Sequence, residues 1–261
     1  MKNRFLTLFA LLPLGATSPA LAQSTFLNTA DGGNWSTAAN WDTNPVIPNA
    51  VDAEAIVNGA GVTGSLDVQL DGVFTIGKLT RTSDAGVAAT FPTTPTTMDA
   101  TKGLTLQTTT GQPTINTVGN VFYYSAFFGN QGFEKTGSGR FTLRFNTIDQ
   151  SFTGPIKISA GTLGIEKDRS LGDVDNDLEI AANAKLFAEP GSNAGLITLP
   201  ATRSITLTGA GQLGSNNPAV NLLIEGPIGD GGAGFAPVKT DIGVVTLAGT
   251  NTWTGGATVN E

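Results

Sequence analysis

The phrase "FEKTGSGRFTL…SFTGPIKISAGTL" (Phe133 to Leu163) returns near the end of the chain as "VKTDIGVVTLAGTNTWTGGATVNE". Setting Lys135 against Lys239 pairs Thr136 with Thr240, Gly139 with Gly243, Phe141 with Val245 and Leu143 with Leu247. A three-residue adjustment then brings Thr153-Gly154 onto Thr254-Gly255 and Ile158 onto Val259. Within each copy the apolar residues alternate with polar ones, the period of a half-buried strand, and glycines punctuate the runs as turns do. The same alternation recurs at Leu178 and Ile180, Ile205 and Leu207, and Val245 and Leu247, and no convincing amphipathic helix interrupts it. A strand-turn unit that repeats in register cannot bury its apolar side alone and must stack on its neighbours.

This predicts an all-β chain folded as a parallel solenoid. The two lysines lie 104 residues apart, room for four or five coils of roughly 20–30 residues. The chain then makes about ten coils, each adding roughly 4.8 Å of height. A sandwich of antiparallel hairpins is the competing architecture. Its two-residue turn signals are concentrated near one end, at Asn58-Gly59 and Asp71-Gly72, which favours the solenoid.

Before the first strand stands "MKNRFLTLFALLPLGATSPALAQ", with basic Lys2 and Arg4, an apolar run from Phe5 to Leu14, and Ala20-Leu21-Ala22 as a cleavage site. Residues 1–22 read as a signal peptide, and residues 23–261 as a single exported solenoid. No later segment is long and apolar enough to be a transmembrane helix. The absence of Cys leaves backbone ladders, not disulfides, to hold an exported chain together. Its formal charge of -7 argues against nucleic acid and anionic lipid as partners.

The two phrases resemble the autotransporter-associated β-strand repeat of bacterial passenger domains. The first copy keeps Lys135, Thr136, Gly139, Leu143, Gly154, Gly161 and Leu163 of that pattern, and the second keeps Lys239, Thr240, Gly243, Leu247, Gly255 and Gly256, with Trp253 where Tyr is usual. The resemblance implies a right-handed parallel β-helix, export, and display at the cell surface, with repeats that support passenger folding and transport. "NWSTAANW" (Asn34 to Trp41) resembles the start of such mature chains. The second copy lacks the closing G-T-L, and no translocator barrel is present in this chain, so the sequence reads as an N-terminal piece of a longer protein, truncated at its C-terminus.

Chemistry is sparse. With no His and no Cys, Ser-His-Asp triads, thiol nucleophiles and most transition-metal sites are excluded. "GAGQLG" (Gly209 to Gly214) matches a dinucleotide fingerprint in letters only, because Pro218 and no helical pattern follow. "GDVDNDLE" sets Asp173, Asp175, Asp177 and Glu179 at alternate positions, a spacing that could surround Ca²⁺ or serve polysaccharide cleavage; a polar loop before a strand is the plainer reading. Trp35, Trp41 and Trp253 are candidate platforms for sugar rings, with a protective cap over the first coil as the competing role for the first two. The leading reading is a non-enzymatic structural or adhesive surface β-helix whose partner is a cell-surface or extracellular glycan or protein. A carbohydrate-binding module and a polysaccharide-degrading enzyme stand behind it, and no cofactor beyond Ca²⁺ is implied.

Overall fold

The computed structural model describes residues 23–27, 32–59, 62, 66–83, 89–92, 99–144, 150–189 and 195–260. The signal peptide expected at residues 1–22 lies outside them. Among the described residues every strand ladder is parallel, and the only helical pieces are two single 3₁₀ turns, Ala38–Asn40 and Asp168–Leu171. The hairpin alternative is thereby removed. Asp71-Gly72 does not reverse the chain: it turns a corner between Leu66–Gln69 on one sheet and Val73–Ile76 on another.

Three faces wind around one core. The first sheet has nine strands, from Gln23–Phe26 to Ile228–Gly229, and the second has ten, ending with Thr258–Val259. The third face carries two separate three-stranded sheets, Val73–Ile76 to Ala126–Phe128 and Leu196–Leu199 to Val245–Leu247. Nine strands mark about eight complete turns, fewer than the ten expected, because the turns are unequal. Glu134 stacks on Thr114 after 20 residues, whereas Thr114 stacks on Lys78 only after 36.

Alternation decides which side chains point in. Along the first sheet one inward column runs Ala55, Leu79, Ile115, Lys135, Ile158, Ile180, Leu207. On the second, the corresponding column runs Leu66, Ala89, Val121, Phe141, Leu163, Leu186, Leu213 and then Lys239. Nearly all of these apolar residues are fully buried, each Leu or Ile contributing about 1.5–3 kcal/mol by leaving water. In the middle of the stack the core turns aromatic: Tyr123 lies flat on Phe127 at 4.1 Å, and Phe133, Phe141 and Phe152 surround that pair. The strand ladders join each turn only to the turns beside it, so the order of stacking is the order of the sequence.

Candidate functional site: the repeat turn

Each copy of the repeated phrase contains one complete turn. Lys135 stacks directly beneath Ile158, and Lys239 directly beneath Val259, the same partners that sequence alignment equates. The first copy begins on the first sheet, with Phe133–Thr136, and passes to the second with Arg140–Leu143. The second copy begins on the second sheet, with Val238–Thr240, and passes to the third face with Val245–Leu247. The phrase therefore specifies a turn of the coil without specifying a face.

The local geometry is shared. Two residues after each lysine the backbone enters the left-handed region, at Gly137 (φ 75°) and at Asp241 (φ 65°). In both copies the lysine amino group donates to the carbonyl of that residue: Lys135 Nζ to Gly137 O at 3.0 Å, and Lys239 Nζ to Asp241 O. Glycine follows two positions later because the corner lies flat on the corner below. A Cβ at Gly139 would stand 2.4 Å from the Val118 carbonyl, and one at Gly243 would stand 2.7 Å from Ser215 Cβ.

Lys135 is 0% exposed, although it occupies an apolar column. Its amino group also donates to Thr136 O at 2.7 Å and to Ala160 O at 3.1 Å, giving three carbonyl acceptors. Burial lowers its pKa to about 7. In the second copy Asp241 also receives Lys185 Nζ at 3.0 Å from two turns below. Asp230 fastens the second copy from outside: its carboxylate accepts the Gly232, Phe235 and Thr254 amides and the Thr254 hydroxyl at 2.8–3.1 Å. Burial alone would raise the Asp230 pKa, but the hydrogen bonds, led by Thr254, bring it down to about 2.

The proposed sugar platforms separate into two cases. Trp35 and Trp41 are both 0% exposed and meet edge to face at 4.8 Å, with Phe26 and Phe74 packed on either side. Their indole N–H groups donate to Pro48 O and Trp35 O. A ring with no open face cannot stack on a pyranose, which corrects the platform assignment for these two; they close the first coil. Trp253 packs half-buried against the core on the final turn and keeps part of its surface in solvent.

The acidic loop does not gather its carboxylates. Asp173 accepts the Asp175 amide at 3.0 Å, while Asp177 turns away to the Ser204 amide and hydroxyl. Glu179 faces Lys157 across the ladder at 3.3 Å. No group of three or more metal-ligating side chains forms among the described residues. The loop is instead organised by Arg203, fully buried, which donates to Asp168, to Asn176 O and to Asp173 O. Sequence inspection missed Arg203, and no local pattern marks it. It likewise missed a polar ladder outside the second sheet, where Arg140 meets Glu189 at 2.8 Å and lies 4.4 Å over the Phe187 ring, and Arg144 lies 4.3 Å over Phe122.

The passenger-associated-transport-repeat family matches residues 133–165 and 238–261. Over 133 residues the chain is 32% identical to the adhesin BmaC autotransporter of Brucella suis biovar 1 (strain 1330), a match covering 49% of this chain and 4% of that protein. The chain thus spans a small fraction of the length of this relative. No solved structure matches it. Two segments that match the passenger-associated transport repeat, each containing one complete turn, are built into a parallel β-solenoid.

Proposed function

We propose that the chain is a non-enzymatic segment of a surface-displayed adhesive passenger, in which the repeats help the solenoid to fold as it is exported. The observation that carries this reading is the coincidence of repeat and turn. A unit that closes one turn on the turn before it lets folding advance stepwise along an emerging chain, with no distant contact to await. The adhesin similarity supplies the adhesive half of the reading, and the partner is a glycan or protein outside the cell.

Two measurements test the two halves. Residues 23–261, displayed on a bacterial surface through a heterologous translocator, should increase attachment to cultured host cells above that of a display control of equal length. Display without added attachment refutes the adhesive role of this segment. For the export half, Glu134 and Lys157 are ladder partners on adjacent turns. The E134C/K157C pair should cross-link under oxidising conditions and hold the chain back from the surface, with release on reduction. Unimpeded appearance of the oxidised protein would refute stepwise folding during export. Trp253, with part of its ring in solvent, favours a glycan over a protein as the partner, and quenching of its fluorescence by soluble glycans reports this directly.

A further inference from the structure

We propose that the repeat lysine is a register lock, a polar side chain set in an apolar column so that only one alignment of the following turn satisfies it. The need for such a device follows from the ladders themselves. Side chains alternate with period two, so sliding one strand by two residues keeps every apolar residue inward. In the strand above Lys135, Ile156 and Ile158 are both inward and buried, and half-buried Ala160 follows just past the strand's end. Hydrophobic burial alone therefore distinguishes poorly between Ile158 and its second neighbours as the residue stacked on Lys135.

Lys135 makes the distinction. Two of its acceptors, Thr136 O and Gly137 O, belong to its own turn and are present whatever stacks above. The third, Ala160 O, belongs to the next turn. Ala160 also donates its amide to Lys135 O, at 3.3 Å, and Ser159 donates to the same carbonyl at 2.9 Å, so this corner is tied to the lysine by main chain and side chain together. A two-residue slip displaces the Ala160 carbonyl by roughly 6.6 Å. The lysine then loses that acceptor at a fully buried position, where an unmade hydrogen bond is costly. Buried polar residues at core positions of coiled coils select register by the same logic.

The second copy repeats the own-turn half of the device, with a half-buried lysine. Lys239 stands in the inward column of the second sheet between Leu213 and Val259, and its amino group reaches the carbonyl two residues ahead, as Lys135 does. Two lysines placed on different faces share this column position and own-turn contact, which therefore belong to the repeat; the contact to the following turn is seen at Lys135. The same lock accounts for a lysine heading the repeated phrase, where an apolar residue would stack equally well.

The test is the register of the following strand. In K135M, an apolar side chain of similar length fills the column and removes the donors. Amide NMR at pH 5, well below the lysine's pKa, should show one set of signals for Ile156–Ile158 in the wild type and two sets in K135M. The additional set comes from the slipped register and should be absent from strands below Lys135. A single, unshifted set in folded K135M overturns the proposal, because the apolar ladder alone would then fix the alignment. Should K135M not fold, K135I decides, since isoleucine already fills this column at Ile115, Ile158 and Ile180. Doubling at Ile156–Ile158 supports the lock, and one set with native pairing refutes it.

Discussion

Lys135 should make the solenoid more stable as the solution becomes more alkaline, the reverse of the usual behaviour of a surface lysine. Burial lowers its pKa from 10.5 to about 7. Below pH 7 the folded and unfolded chains both hold the proton, and this group contributes no pH dependence. Between pH 7 and 10.5 the unfolded chain holds a proton that the folded chain has released, so raising the pH favours folding. Each unit corresponds to about 1.4 kcal/mol, and the gain from pH 7 to 10 approaches ~4 kcal/mol if the shift is fully realised. The three carbonyl acceptors favour the ammonium form and work against the shift, which makes that figure a ceiling. The experiment is clean because the chain has no His and no Cys to titrate in the same window. Urea denaturation of wild type and K135M at pH 7, 8, 9 and 10 should give a rising midpoint for the first and a nearly level one for the second. Above pH 10 the trend should turn, because burial raises the Tyr123 pKa and its ionisation in the unfolded chain then favours unfolding. A wild-type midpoint that stays level, or an equal rise in K135M, would refute the argument from burial.

Three further perturbations follow from the same geometry. Trp41→Ala should remove about 3–5 kcal/mol, read by chemical denaturation, and expose the first coil to hydrogen exchange before the rest. Gly161→Ala and Gly111→Ala both place a Cβ on a left-handed backbone, at φ 67° and 74°, costing about 1–2 kcal/mol for the conformation alone. Only the first also meets a neighbour, the Gly137 carbonyl at 2.4 Å, so its loss of melting temperature should be clearly the larger. Asp230 stabilises the final turn above the ordinary carboxylate range, and that contribution should fade as the pH falls through about 2. Asp230→Asn should remove it at neutral pH, seen as faster exchange of the Thr254 amide.

The strands were legible because alternation is a direct record of burial. Ile156 with Ile158, Leu178 with Ile180, and Ile205 with Leu207 point inward as their spacing predicts. Repetition then selected stacking over hairpins. What the letters did not carry is which surface meets which. A tryptophan reads alike whether its ring is sealed or open, so Trp35 and Trp41 kept a second role until their packing was visible. Asp173, Asp175 and Asp177 alternate evenly along the chain, but the loop is bent by Arg203, which arrives from the next turn. Lys135 is the sharpest case. By charge it belongs outside, and only its acceptors, one of them from the following turn, explain its place in the core.

The repeated phrase starts on one face in its first occurrence and on the next face in its second. The interval between the copies is therefore not a whole number of turns. Loops that leave the coil at the same point of each phrase emerge from different sides of the shaft, spaced around it like steps on a spiral stair. The two phrases thus present corresponding loops in two directions, and a surface approaching from either side meets one of them.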